Sequence, residues 1–381
     1  DGVLGAAKEN LAGVRVIRAF GKEKQETESF ENKSGELLSS QLFVGKISAL
    51  LNPETYVMIN LAIIAVLRVG GGQVYKGILT QGQVLALYNY MSQILVELIK
   101  MANLILSMTK AAASAKRVSA ILALESSLDV PQENPEEQED APAVEFDGVT
   151  FTYPTGGAPA LDDISFTLGH GKTLGIIGGT GSGKSTLIGL IPRFYDVQEG
   201  CVKVNGCDVR QYPLETLRRK IGLVPQKALL FKGTIRENLL WGDEGATDDA
   251  IYDALKAAQA QEVVDGKPEG LDYEVETGGQ RQRLTIARAL VRKPEVLILD
   301  DSASALDFAT DAALRHALRE LPWKPAVVII SQRTASIRFA DEILVLDDGR
   351  LAGRGTHEEL LQTCDVYREI YESQFKKEDA R

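Results

Sequence analysis

The 381-residue sequence predicts two unlike folded parts in series, an α-helical hairpin and then an α/β domain. Three observations predict it. Two long charge-free runs lie before residue 128, an acidic proline-rich stretch follows them, and beyond it an apolar strand leads straight into Gly178-Gly179-Thr180-Gly181-Ser182-Gly183-Lys184-Ser185. With 44% hydrophobic and 25% charged residues, the chain is neither disordered nor collagen-like. Three cysteines form no disulfide framework, which points to a reducing compartment. A net charge of −11 argues against nucleic acid as the partner. The mean hydropathy of −0.07 suggests a soluble protein, but an average hides segregation along a chain.

Residues 1–128 carry 13 Lys/Arg against 10 Asp/Glu, leaving 29 against 43 in the remainder. Thr55–Leu67 is charge-free but short for a bilayer span, which takes ~20 apolar residues. Gly77–Val96 is long enough, yet it contains Gln81, Gln83, Asn89, Ser92 and Gln93, so hydropathy alone does not identify it. Gly70-Gly71-Gly72 and Gly77 predict the turn between the two helices, and Thr80-Gln81-Gly82-Gln83 has the spacing of a capping box that opens the second. The pattern is a hairpin of apolar segments with long amphipathic extensions; two core helices of a soluble bundle would show similar periodicity. Arg68 fits either the end of a core helix or a snorkelling interfacial position. The first residues read as mid-helix and lack an initiator Met, so an upstream part is expected.

Asp129–Glu145 holds seven acids, no base, and Pro131, Pro135 and Pro142. Such a run buries too little apolar area to order itself and reads as a solvated linker. The predicted boundaries are therefore a helical part at 1–128, a linker at 129–143 and a second domain at 144–381.

In that domain Val144–Phe151, Lys172–Ile177, Val296–Asp300, Val327–Ser331 and Ile343–Leu346 read as strands, with Asp347-Asp348-Gly349-Arg350 as a turn. The glycines after Ile177 let backbone N–H groups curl around phosphate oxygens, and the helix opening at Ser185 and Thr186 adds its partial positive charge. Lys184 supplies a point charge to the β- and γ-phosphates, and Ser185 a hydroxyl for Mg²⁺. Val296-Leu297-Ile298-Leu299-Asp300 is the matching apolar strand that ends in a carboxylate for the same ion. Together these form a nucleoside triphosphatase core with Mg²⁺.

The segment Thr277-Gly278-Gly279-Gln280-Arg281-Gln282-Arg283-Leu284 resembles the signature of ABC transporters. Gln226 in Val224-Pro225-Gln226, Ser304-Ala305-Leu306-Asp307, and Tyr153 resemble that family's Q-loop, D-loop and adenine-stacking A-loop. Tyr153 alone would also suit a half-buried strand aromatic. Asn10–Gly21 resembles the second coupling helix of exporter-type half-transporters, and the hairpin their last two transmembrane helices. The resemblance covers nearly the whole chain and implies four earlier helices. It implies an ABC-type ATPase domain with a helical signature subdomain, Gln226 near the metal, and Thr277, Gly278, Gly279 and Gln280 facing the γ-phosphate held by a partner subunit. Multi-pass insertion in the cell membrane, a second half-transporter subunit, membrane lipid and an amphiphilic drug- or lipid-like substrate follow from the same resemblance.

Two positions depart from the family. Asp301 stands where a Glu usually acts as general base, one methylene shorter, and a base must lie within about 2.6–3.2 Å of its proton donor. Gln332, in Ser331-Gln332-Arg333, replaces the switch histidine and cannot accept a proton. These substitutions predict the degenerate, slowly hydrolysing site of a heterodimeric exporter; a homodimer is the other arrangement. Only Glu276 and Thr277 separate Glu274-Val275 from Gly278, fewer residues than the family carries. His170, His316 and His357 lack metal-ligand spacing, Cys201 and Cys207 flank a short strand, and Arg15 and Arg18 are either solvated or face an acidic ATPase surface. A soluble ABC-type clamp would carry a basic surface and coiled-coil heptads, which this sequence lacks. A nucleotide-dependent dimer module without transport is a further reading.

Overall fold

A computed structural model describes residues 2–124, 128–138, 140–154, 156–275, 281–302 and 306–375. The chain divides into two units, Asp1–Glu125 and Ser126–Arg381.

The first unit is helical. Helix α1 (Gly2–Ala19) ends at a turn where Gly21 takes φ +60°, a left-handed conformation that glycine adopts without strain. Helix α2 (Glu23–Tyr75) runs for 53 residues, and α3 (Gln81–Leu122) for 42. At 1.5 Å per residue α2 spans roughly 80 Å, far more than a bilayer core of about 30 Å. The capping box opens α3 as expected: Gln83 N–H donates to Thr80 Oγ1 at 3.4 Å, and Thr80 N–H to Gln83 Oε1 at 2.8 Å.

Two expectations are corrected here. Gly70, Gly71 and Gly72 stay helical within α2, and the turn falls later, where Gly77 has φ +71°. Gly70 serves close packing instead: a Cβ there would come within 2.9 Å of Val84 of α3. The charge-free runs also understate the apolar segments. Pro53–Tyr75 and Gln81–Leu122 reach mean hydropathies of 1.7 and 1.4 and are long and apolar enough to cross a membrane, because the lone charge of Arg68 does not end its segment. Among the described residues of this unit, Ala6 and Val84 are the buried hydrophobics, whereas Leu61, Ile64, Leu104 and Ile105 are more than half exposed.

The second unit carries two sheets. Strands β1 (Val144–Phe151), β2 (Leu161–Leu168), β4 (Glu199–Val204) and β5 (Cys207–Asp208) form an antiparallel sheet in the order β2-β1-β4-β5. The larger sheet has the order β10-β9-β3-β8-β7-β6, built from β3 (Thr173–Gly178), β6 (Ile221–Val224), β7 (Val296–Asp300), β8 (Ala326–Ile330), β9 (Glu342–Asp347) and β10 (Arg350–Gly355). Its strands are parallel except for the β9–β10 hairpin. Every residue of β8 is buried, as a central parallel strand covered on both faces requires. Alternate residues feed two separate cores: Ile177, Leu297, Leu299 and Val345 one, Ile176, Ile298, Val328 and Leu344 the other.

Helix α4 (Lys184–Leu190) follows β3, and α5 (Leu214–Lys220) precedes β6. Helices α6 (Ile235–Leu240), α7 (Asp248–Ala257), α8 (Gln261–Asp265) and α9 (Arg281–Val291) make the expected helical subdomain. Then come α10 (Phe308–Arg319), α11 (Thr334–Ile337), α12 (His357–Thr363) and α13 (Asp365–Phe375).

The acidic stretch is largely exposed, as a solvated segment is, but it does not stand free. The Asp129 carbonyl accepts from Arg193 Nη2 at 2.7 Å, the Glu136 carbonyl from Cys207 Sγ at 2.9 Å, and the Glu137 carboxylate from Asn205 at 2.8 Å and Lys220 at 3.0 Å. Its carbonyls and carboxylates thus find donors on the α/β unit, which a linear reading of charge could not locate.

Candidate nucleotide site

The site lies at the C-terminal ends of β3, β7 and β8, which the sheet register aligns: Ile176 and Asp300 both pair with Ile330. Loops leaving parallel strands at that edge are the usual place for ligands in an open α/β sheet. Gln226 follows the next strand, β6.

The phosphate loop is built by glycines at two points. Gly183, the residue before α4, has φ +96°, and a Cβ on it would sit 2.6 Å from the Ala160 carbonyl. A Cβ on Gly178 would sit 2.1 Å from the Leu346 carbonyl. Gly179, Thr180, Gly181 and Ser185 are exposed, whereas Ser182 and Thr186 are buried beneath them. Lys184 folds its ammonium over the loop, donating to the Gly178 carbonyl at 2.9 Å, the Gly179 carbonyl, and Ser182 Oγ at 3.2 Å. Burial lowers its pKa, and the charges of Asp300 and Asp301 oppose that.

Asp300 and Asp301 are neighbours at the end of β7. Burial raises the Asp300 pKa, the Asp301 charge raises it further, and Lys184 opposes both. Asp301 is 8% exposed, and its pKa is also raised by burial, against a Gln332 backbone hydrogen bond, Arg333, Gln226 and Lys184. Gln226 Nε2 donates to the Asp301 carboxylate at 3.4 Å. Asp301 also has φ +44°, a left-handed backbone that Asp visits more readily than most residues. The structure thus brings Lys184, Asp300, Asp301, Gln226 and the Gln332 loop together. The donor set fits Mg²⁺, which binds through one or two carboxylates and substrate phosphates: Ser185 and Asp300 supply protein oxygens, and no larger His/Cys/Asp/Glu cluster exists among the described residues.

Tyr153 reaches the loop through its hydroxyl, 3.1 Å from Thr186 Oγ1. Its ring packs edge-on against Phe151 and Tyr195, with centroids 4.9 and 5.3 Å away. No motif spacing announces Tyr195, whose part in this aromatic corner emerges only from the packing. Asp307 caps α10, accepting from Thr310 N–H at 2.9 Å. Thr277, Gly278, Gly279 and Gln280, with Ser304 and Ala305, lie outside the described residues, as does the shortened segment before Gly278. Arg15 and Arg18 are exposed, Cys201 lies within β4, and Cys207 is buried in β5.

Comparison with known proteins agrees with this geometry. A family profile described as ABC transporter transmembrane region matches residues 1–98, and one described as ABC transporter matches 161–304. An uncharacterized ABC transporter ATP-binding protein of Mycobacterium tuberculosis is 38% identical over 98% of this chain and 66% of its own length. A probable multidrug resistance ABC transporter ATP-binding/permease protein of Bacillus subtilis is 37% identical over 96% of the chain and 63% of its own. An ATP-dependent lipid A-core flippase of Photobacterium profundum is 34% identical over 98% of the chain and 65% of its own. The chain therefore spans somewhat less than two thirds of these relatives. The solved structure of a bacterial Atm1-family ABC exporter with ATP bound superposes with a TM-score of 0.86 at 28% identity, covering 98% of this chain and 67% of that one. A transmembrane region beside the ATPase domain disfavours the soluble clamp. The chain belongs to the ABC transporter family, with the family's transmembrane region preceding its ATPase domain.

Proposed function

We propose that this chain is the ATP-binding and ATP-hydrolysing subunit of an exporter in the cell membrane, moving amphiphilic drug- or lipid-like substrates and turning ATP over slowly at its own site. The observation that carries the reading is the convergence of the phosphate loop, Asp300, Asp301, Gln226 and the Gln332 loop on one sheet edge. The multidrug and lipid-flipping relatives support the substrate class.

In this reading Tyr153 stacks on adenine, while Lys184 and the loop N–H groups hold the phosphates. Ser185, Asp300 and Gln226 would hold Mg²⁺, which would supply neutralisation of the charge developing on the transferred phosphoryl group. Asp301 takes the general-base position with a short arm, and Gln332 can donate a hydrogen bond to the γ-phosphate without taking a proton. Residues 277–280 face the ATP of a second half-transporter, so two composite sites form when two ATPase domains close. Closure favours one access state of the membrane helices, as differential affinity for nucleotide requires. A heterodimer whose partner keeps the Glu and His follows from the two substitutions.

The test is hydrolysis by the chain assembled with its partner, the partner's own phosphate loop being inactivated. Tight Mg-ATP binding with slow turnover is expected, and Asp301→Glu combined with Gln332→His should raise turnover about 10²-fold. Brisk wild-type hydrolysis at this site overturns the degenerate reading.

A further inference from the structure

The loop carrying Gln332 is held by a residue that no motif indicates. Gln374, near the end of α13, places its carboxamide across residues 332–334 and bonds them at both ends. Gln374 Nε2 donates to the Gln332 carbonyl at 2.7 Å. Its Oε1 accepts from Thr334 N–H at 2.9 Å and from Thr334 Oγ1 at 3.0 Å. Thr334 opens α11, and Arg333 before it makes no side-chain cap bond, so the Gln374 amide satisfies a donor that a capping residue usually takes. The rest of the loop is equally tied down: Arg333 N–H donates to Ser331 Oγ at 2.9 Å, and Ser331 N–H to the Ile176 carbonyl at 3.2 Å. The loop leaves β8 beside Asp301, whose N–H donates to the Ile330 carbonyl at 2.9 Å, and the Gln332 backbone is among the influences that hold the Asp301 pKa down against burial.

The Gln332 segment therefore lies between two neighbours: Asp301, in the general-base position of the reading above, bonds the strand end that leads into it, and α13 bonds its carbonyl. Helix α13 is itself anchored. Tyr367 is fully buried, and its hydroxyl lies 2.8 Å from His357 Nδ1 on α12. Helix α13 thus grips, through one amide, a short loop that begins beside Asp301.

We propose that Gln374 is a positioning residue for the nucleotide site, setting the Gln332 loop and through it Asp301, so that the C-terminal helix governs how the site tells ATP from ADP. The proposal rests on the ATP-site reading given above. Gln374 touches no reacting atom in it; it acts only through the loop. A residue that merely stabilised the domain would weaken both nucleotides alike, whereas one that sets a γ-phosphate-facing loop weakens ATP alone.

The experiment uses the full chain in detergent, with fluorescent ATP and ADP analogues and Mg²⁺, and amide hydrogen exchange on the same samples. Gln374→Leu removes all three bonds, and Gln374→Glu keeps the acceptor for Thr334 but loses the donor to Gln332. Ser373→Ala alters the same helix turn away from the loop, since Ser373 Oγ donates to the Ile370 carbonyl of its own helix. Gln374→Leu should weaken ATP about tenfold, the worth of roughly one or two buried hydrogen bonds, with ADP within twofold. Gln374→Glu should fall between; exchange at Gln332 should quicken in both variants, and exchange at Thr334 in Gln374→Leu. Equal losses for ATP and ADP, or unchanged exchange at the two amides, overturn the proposal. A wild-type chain that binds neither nucleotide overturns the ATP-site reading, and the exchange result then still decides whether Gln374 holds the loop. If Gln374→Leu does not fold, Gln374→Glu against Ser373→Ala carries the same comparison.

Discussion

The two units meet the same requirement, burial of apolar side chains, in opposite ways. In the α/β unit Ile176, Ile298, Val328 and Leu344 are wholly removed from solvent inside the protein. In the helical unit Leu61, Ile64, Leu104 and Ile105 point outward at half exposure or more. The first arrangement gains its stability from water, through roughly 25 cal/mol per Å² of apolar surface buried. The second has helices whose backbone groups are satisfied internally and whose apolar faces look outward, the arrangement a hydrocarbon surrounding permits. A core residue in one unit and an apolar residue in the other are therefore different physical objects despite identical chemistry.

The largest effect that can break this comparison is a truncation made once in each unit. Ile298→Ala should cost about 3–4 kcal/mol, because a packed parallel strand cannot collapse into the void. Ile64→Ala, at 60% exposure, should change stability by under about 0.5 kcal/mol in detergent. Hydrogen exchange of β7 and α2 amides reads the two separately. Equal costs would mean that the helical unit hides a core of its own.

A smaller effect sharpens the comparison from inside the helical unit. Gly70 lies against Val84, one of the unit's few buried hydrophobics, where a Cβ would meet the Val84 methyls at 2.9 and 3.0 Å. Small residues that let helix backbones approach are how membrane helices pack without a hydrophobic drive. Gly70→Leu should therefore cost about 1–3 kcal/mol, read as faster exchange at the start of α3. Gly71→Leu, with open space around it, should be close to neutral.

That glycine also marks what could be read from the sequence. Strand β1 is legible from Val144 to Phe151 because its side chains alternate between core and surface, and the phosphate loop because strand, glycines and helix agree. The Gly70–Gly72 triplet misleads, since a glycine kept for close approach and one kept for a turn look alike in one dimension. The acidic run misleads for a related reason: its partners Arg193, Asn205, Cys207 and Lys220 come 64 to 83 residues later, and nothing in its composition names them. Asp301 and Gln332 are legible as departures from a family, but not the left-handed backbone of Asp301 or the grip of Gln374, which depend on where loops meet.

The smallest effect concerns charge, where the two units also differ. The ion pair described in the helical unit, Lys100–Glu97, joins neighbours on one helix, whereas Lys220 in the α/β unit bridges Glu295 at 2.8 Å and Glu137 at 3.0 Å across the fold. Burial alone would raise the Glu295 pKa, but Lys220 and Asn205 outweigh it and leave it below the ordinary 4.5. Burial alone would lower the Lys220 pKa, but the two glutamates outweigh it and leave it above 10.5. A carboxylate with a depressed folded pKa adds stability above its unfolded pKa and loses it as pH falls through the folded value. A lysine with a raised pKa adds stability below its unfolded pKa and loses it as pH rises through the folded one. The bridge should thus be at full strength between about pH 5 and pH 10. Lys220→Met should cost about 1 kcal/mol in that window, little enough because both partners keep some solvent contact. The deficit should shrink as pH falls below the ordinary 4.5 and Glu295 takes up its proton. Denaturant midpoints of the α/β unit across pH measure it. A deficit that stays constant down to pH 3 would assign the loss to methionine packing, and the acidic strap would then be held by its carbonyl bonds to Arg193 and Cys207.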